Sequence, residues 1–362
     1  MAAAPDPTRA ANLPRRAPAC LVCGNSEENA PLTVDTDWTH YFARHGVAYL
    51  CYDKRGTGAS TGDLNSASID DLASDVLAAV QAIRGNPAVD ARRIGLIGHS
   101  NGGWVAPLAA SRSSDVAFLV VKSGSALPVA ENLLYELEMD MRGAGGFTED
   151  DIANARALRA QMNRALLTNS GWDDLAMAVN AARPERWFGY ARVQWLQFVS
   201  PPMDSVANAI LNGFRRHIDF DPSATWTRVR CPVLVLLGEL DANVPAALSA
   251  DRIRNWLIQG GNRDHAVRLL TRANHGLFEA ETGFSREWPT LTRYVPGYLD
   301  GIADWLAQRR QKPSVASAMN LTHASTADER DDLVNADSRK WRQRHRGGHD
   351  ARALAALNYT LS

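Results

Sequence analysis

Ile94-Gly95-Leu96-Ile97-Gly98-His99-Ser100-Asn101-Gly102-Gly103-Trp104-Val105-Ala106-Pro107 is the stretch that decides how the rest of the chain is read. Ile94 to Ile97 is a short apolar run led in by Arg92-Arg93, the pattern of a buried strand. Trp104, Val105, Leu108 and Ala109 then recur at i, i+1, i+4 and i+5, one face of a helix. Gly98-x-Ser100-x-Gly102 lies between them, so a serine sits at a sharp turn from strand into helix. Such a turn presses the backbone two residues before the serine against the backbone two residues after it. A Cβ at Gly98 or Gly102 would clash, and the serine itself is held strained. The expected product is a nucleophile elbow, with an exposed Oγ at the N-terminus of a helix. There the Asn101 N–H and the positive end of the helix dipole face any oxyanion that forms.

Outward from the elbow, Ala19–Cys23, Val47–Tyr52, Val116–Val121, Cys231–Leu237 and Ala266–Leu270 are further apolar runs bounded by turn residues. Amphipathic helices alternate with them. One spans Asp37 to His45. Another is capped by Ser68 and carries Leu72, Val76, Leu77, Val80 and Ile83 on one face. A third runs through Ala246 to Leu257, and a closing helix carries Tyr298, Ile302, Trp305 and Leu306. This alternation predicts an α/β fold, a mostly parallel sheet flanked by helices, with its site at the C-terminal ends of the strands. Pro107 is expected to kink the helix after the elbow, softened by Gly103 four residues back.

The alternation breaks from Leu127 to Trp226. Helical stretches are expected over 129–142, 149–168, 173–182, 184–198 and 203–216, with Trp172, Trp187, Tyr190, Trp195 and Met203 among them. This insert reads as a helical cap, residues 127–226, placed before the acid-bearing strand. The α/β core then comprises 19–126 and 227–310. Composition predicts disorder for residues 1–18 and for the tail 311–362, where Asp328–Asp332 is mostly acidic and Arg339–Arg346 mostly basic.

A net charge of −1 gives no reason to expect nucleic acid or an anionic membrane as partner. No apolar run is long enough to span a bilayer, and residues 1–18 show no signal-peptide pattern, so a cytoplasmic setting is expected. Cys20, Cys23, Cys51 and Cys231 lie in or beside apolar strand-like runs and read as buried structural thiols. Cys20-x-x-Cys23 has no second pair to complete a metal site. The histidines show no ligand spacing, and no phosphate-binding glycine loop is present. Neither metal nor cofactor is expected.

A serine needs a base within hydrogen-bond reach, and the base needs an orienting acid. Ser100, Asp241 and His275 fall at the ends of three separate predicted strands, in the order Ser, Asp, His. Glu239 follows the same strand as Asp241, but Asp241 sits third after Gly238 and just before Pro245, which suits the first turn of a helix.

These segments resemble the α/β-hydrolase serine esterases, in particular bacterial members near the prolyl-oligopeptidase and dienelactone-hydrolase branch. The matching segments are Tyr52-Asp53-Lys54-Arg55-Gly56-Thr57-Gly58, Gly98-His99-Ser100-Asn101-Gly102-Gly103, Gly238-Glu239-Leu240-Asp241 and Asn274-His275-Gly276. The resemblance implies Ser100 as nucleophile, His275 as general base and Asp241 as orienting acid. It implies an oxyanion hole from the backbone N–H of Asn101 and of a residue just after Gly24, Asn25 or Ser26. Relatives usually carry His-Gly where this chain has Cys23-Gly24, and one or two more strands before it, so a trimmed six-stranded sheet is expected here. The implied activity is hydrolysis of small-molecule carboxylic esters through an acyl-enzyme. An aminopeptidase-like or acyl-transferring relative would use the same triad, and a catalytically silent binding protein would keep the fold without the turnover.

Overall fold

A computed structural model of the chain describes residues 17–23, 41–57, 60–64, 66–87, 89–193 and 215–311, with backbone alone for 17–23 and 310–311. Of the ends expected to be disordered, 1–18 and 311–362, residues 1–16 and 312–362 lie outside the described residues, as do Asn25, Ser26, Trp195 and Met203, whereas Ala17 and Pro18 open the first strand and Gln311 ends the last helix.

Among the described residues six strands form one sheet: β1 (Ala17–Cys23), β2 (Ala48–Leu50), β3 (Val89–His99), β4 (Phe118–Lys122), β5 (Val233–Gly238) and β6 (His265–Leu270). Their order is β2-β1-β3-β4-β5-β6, and every neighbouring pair is parallel. The helices joining them in the core are α1 (Ile69–Arg84) and α2 (Gly102–Arg112). Later in the chain α7 (Ala246–Gln259) leads to β6, and α8 (Leu299–Gln311) closes the fold.

The central strands are apolar throughout because both of their faces are covered. In β4, Leu119 and Val121 join one core with Val76, Val105 and Ile253, while Phe118 and Val120 join a second with Tyr298, Ile302 and Trp305. β5 divides in the same way, with Val233, Val235 and Leu237 on one side and Leu234 and Leu236 on the other. Ser68 caps α1 through a reciprocal pair, its hydroxyl accepting from the Asp71 N–H while the Asp71 carboxylate accepts from the Ser68 N–H.

Three expected boundaries move. β3 begins at Val89, not at Ile94, because Val89 already pairs with Ala17 of β1, ahead of a shift in register between Ala17 and Ala19. Its polar start is stabilised by Asp90, which accepts from the Arg92 N–H and guanidinium. The expected strand Val47–Tyr52 shrinks to Ala48–Leu50 and is half-buried, since as an edge strand it has β1 alone as partner. β6, the other edge, is likewise half-exposed. Cys51 and Cys231 are half-buried, and burial pushes the Cys231 thiol up to about 12. The helix after the elbow runs unbroken from Gly102 to Arg112 through Pro107.

The insert between β4 and β5 is helical: α3 (Val129–Ala144), α4 (Glu149–Thr168), α5 (Trp172–Ala182) and a single turn, α6 (Ser223–Trp226). Of the helix expected over 184–198, the described residues 184–193 hold a 3-10 turn, Phe188–Ala191, ended by Arg192 at φ 53°. Aromatic contacts win over helix propensity there: Tyr190 meets Phe147 edge-on at 5.0 Å, and Trp187 is buried in the insert's own core. Residues 194–214, covering most of the helix expected over 203–216, lie outside the described residues.

Close packing at the elbow confirms the need for glycine. A Cβ on Gly98 would stand 2.2 Å from the Gly102 carbonyl oxygen, and one on Gly103 would stand 2.4 Å from the Gly124 Cα. Both obstacles are backbone and cannot swing aside. Gly98→Ala is therefore expected to lower unfolding free energy by about 1–3 kcal/mol, the usual range for overpacking, read as a drop in urea midpoint. A midpoint equal to that of the wild type would show that the elbow has slack.

Candidate active site

The parallel sheet gathers the three predicted residues at one edge. Ser100 follows β3 directly, Asp241 lies just past β5, and His275 lies in the loop after β6. Ser100 has φ 54°, a left-handed conformation for a residue with a Cβ, as the elbow requires. Its N–H donates to the Lys122 carbonyl at 3.1 Å, and its carbonyl accepts from Gly103 N–H at 2.7 Å. The strained turn is thus tied to β4 on one side and to α2 on the other.

His275 and Asp241 are both nearly closed to solvent, 5% and 3% exposed. His275 Nδ1 donates to the Asp241 carboxylate, 2.9 Å from Oδ2 and 3.0 Å from Oδ1. Asp241 Oδ1 also accepts from the N–H groups of Asn243 and Val244 at 2.8 and 2.9 Å, so the carboxylate is held by its own loop. That leaves Nε2 as the imidazole's second nitrogen, set to accept a proton. Glu239 is turned elsewhere: its Oε2 accepts from the Arg272 N–H at 3.0 Å.

Several supporting groups carried no signal in the sequence. Ser123, fully buried and itself at φ 52°, donates from Oγ to the His275 carbonyl at 2.7 Å. A Cβ on Gly238 would lie 2.5 Å from the carbonyl oxygens of Ala273 and Asn274, so the histidine loop rests directly on the end of β5. The His99 ring lies 5.2 Å from that of His275, and burial followed by the Lys122 charge drives its pKa well below the ordinary range. His99 is therefore a neutral neighbour. Ser123→Ala strips the His275 carbonyl of its buried donor, so it is expected to cost about 1–3 kcal/mol in stability. Turnover should fall roughly three- to tenfold on the same energy scale. Thermal melts beside steady-state kinetics check both, and unchanged kinetics would show that the loop needs no such tether.

Asn101 is buried at the start of α2. Its side chain does not cap the helix; Asn101 Nδ2 lies 3.0 Å from His217 Nε2. Burial pushes the His217 imidazole down to about 4, so at neutral pH the ring is uncharged and Nε2 accepts that bond. The second expected oxyanion donor, Asn25 or Ser26, lies outside the described residues. The strand before them ends level with the elbow, since Cys23 pairs with Gly98.

A cavity of about 380 Å³, open solvent at its mouth included, adjoins Ser100. Asn101, Trp104 and His217 line it from below, and Asn132, Leu133 and Glu136 of α3 from above. Two hydrogen bonds dock α3 on the acid loop: Tyr135 Oη donates to the Asp241 carbonyl at 3.1 Å, and Asn132 Nδ2 to the Asn243 carbonyl at 3.2 Å. Burial, then the Asp241 charge, pushes the Tyr135 phenol up to about 12, so it stays a donor. No group of three or more metal-ligating side chains occurs among the described residues, and no described helix is long and apolar enough to cross a membrane.

The chain is similar to known proteins. Chain similarity reaches 28% identity over 271 residues with the non-heme chloroperoxidase of Burkholderia pyrrocinia, covering 73% of this chain and 85% of that one. Among solved structures, Est1E from Butyrivibrio proteoclasticus, with ferulic acid bound, superposes at TM-score 0.46 and 15% identity, covering 83% of this chain and 90% of that one. Dipeptidyl peptidase 4 of Porphyromonas gingivalis superposes at TM-score 0.47 and 18% identity, covering 82% of this chain and 32% of that one. Residues 21–287 match the alpha/beta hydrolase family as a whole. The sheet order, the helical insert and that match agree: the chain belongs to the alpha/beta hydrolase family.

Proposed function

We propose that the protein is a serine hydrolase of carboxylic esters, working through an acyl-enzyme on Ser100. The observation that carries this reading is the paired hydrogen bond from His275 Nδ1 to Asp241, held at the strand ends beside a serine at φ 54°. In this reading His275 Nε2 takes the Ser100 Oγ proton as Oγ attacks the ester carbonyl. The Asn101 N–H, at the positive end of α2, stabilises the tetrahedral oxyanion. The imidazolium gives its proton to the departing alcohol. His275 then removes a proton from water as it attacks the acyl-enzyme, and returns that proton to the departing Ser100 Oγ as the acid is released. Asp241 holds the tautomer and stabilises the cation formed on His275. No metal or cofactor enters these steps.

Part of the cavity beside Ser100 is covered by α3, which favours short or medium acyl groups. The test is labelling with a fluorophosphonate, followed by p-nitrophenyl esters from acetate to palmitate and a panel of aminoacyl anilides. Labelling at Ser100 with turnover greatest for short esters is the expected result. Faster cleavage of the anilides would assign the site to peptide chemistry, and activity climbing to palmitate would contradict the closed pocket. No labelling and no turnover would make the chain a silent member of the family.

A further inference from the structure

Beside Val129 and Leu133, α3 brings two polar side chains, Asn132 and Glu136, to the cavity next to Ser100. Asn132 is 1% exposed and lines the cavity. Its Nδ2 donates to Glu136 Oε1 at 2.8 Å and to the Asn243 carbonyl at 3.2 Å, so both amide hydrogens have protein acceptors. Those two bonds fix which end of the amide is which. Oδ1 is what remains, and it is buried with no hydrogen-bond partner. A buried acceptor without a donor is costly and uncommon in a folded protein. In a cavity beside a nucleophile, the missing donor is naturally a group of the substrate.

The charges around it argue about which donor. Glu136 reaches the Arg192 guanidinium at 3.9 Å, and Arg192 also pairs with Asp140. Arg159, buried one helix away, acts on the Glu136 carboxyl from the other side. Two carboxylates therefore face two guanidiniums, and a cationic ligand would find no countercharge to spare. Burial raises the Glu136 carboxyl to about 7, further weakening its pull on a cation. A neutral donor fits.

We infer that the substrate group seated in this cavity carries a hydroxyl, which donates to Asn132 Oδ1 beside Glu136. The inference rests on the ester-hydrolase reading and names its substrate class: hydroxylated esters are preferred to their plain counterparts. The hydroxyl can belong to the acyl or to the alcohol portion, and matched pairs separate the two. One pair is p-nitrophenyl 3-hydroxybutyrate and p-nitrophenyl butyrate. The other is 3-hydroxypropyl butyrate and butyl butyrate.

In the wild type, kcat/KM is expected to be about tenfold or more higher for the hydroxylated member of one pair, the scale set by a buried acceptor left unpaired. That ratio should fall to near one in Asn132→Leu and by about threefold in Glu136→Gln, which loses one acceptor. The ratio is taken within each variant, so a general loss of activity does not affect it. Thermal midpoints establish that each variant folds, and Glu136→Gln serves if Asn132→Leu does not. A wild-type ratio of one or below in both pairs overturns the inference, as does a ratio that survives Asn132→Leu. Faster turnover of p-nitrophenyl 3-aminobutyrate than of the hydroxy ester overturns the neutral donor.

If no ester is turned over, the ester-hydrolase reading fails by itself and the pocket is still tested by binding. 3-Hydroxybutyramide should then raise the thermal midpoint more than butyramide, and Asn132→Leu should erase the difference. Equal shifts in the wild type would overturn it.

Discussion

Ser100→Ala is expected to abolish fluorophosphonate labelling and to lower ester turnover by several orders of magnitude, as loss of a triad nucleophile does. The fold should survive. Alanine is smaller than serine, and the elbow's tightest contacts belong to Gly98 and Gly103. A strained φ of 54° suits alanine no better than serine, and the Ser100 backbone bonds to Lys122 and Gly103 involve no side-chain atom. The midpoint of thermal unfolding should therefore stay close to that of the wild type. Residual turnover of ester above the uncatalysed rate is also expected, because the Asn101 N–H and the cavity remain. A purified variant that keeps wild-type turnover would remove Ser100 from the mechanism altogether.

Asp241→Asn is expected to cost roughly 10⁴ in turnover, the loss recorded when the acid of a protease triad becomes an amide. The amide would still fit the space. Its oxygen can keep the N–H groups of Asn243 and Val244, which then leaves an NH₂ group facing His275 Nδ1. The imidazole must respond by placing its proton on Nε2, the nitrogen needed as the base. Glu239→Gln should cost less than about tenfold on the same scale, since it merely exchanges the acceptor of one backbone N–H at Arg272. Turnover of one short ester by both purified variants across pH checks the pair. A crippled Glu239→Gln beside a near-normal Asp241→Asn would hand the orienting role to Glu239.

How far the sequence alone reached follows from the range of each interaction. Ser100, Asp241 and His275 were legible as candidates because each lies within a few residues of a strand end and close to a glycine: Gly98, Gly238 and Gly276. The parallel sheet was legible because its central strands are apolar on both faces. The edge strand β2 was overdrawn, since an apolar run does not reveal how many neighbours it will have. The supports of the site were not legible. Asn101 meets His217 across 116 residues, Asn132 meets Asn243 across 111, and Ser123 meets His275 across 152. No local pattern distinguishes those side chains from others of their kind. Glu136, in a helix with Glu131, Glu138 and Asp140, reads from sequence as one of several solvated charges. Its burial comes from the way α3 lies over the mouth of the cavity.

The docking of α3 on the acid loop bears on how this protein could be re-engineered. Exchanging the insert for that of a relative is an obvious route to a new specificity, because it enters and leaves the sheet between β4 and β5. Yet Tyr135 and Asn132 bond to the backbone of Asp241 and Asn243, the same loop that presents the acid to His275. Donor chimaeras that cut cleanly at the sheet would replace these two side chains while leaving their acceptors behind. The unit of exchange is therefore larger than the insert. It comprises residues 129–144 together with 241–244, two segments far apart in the chain that a recombination library should inherit as one block.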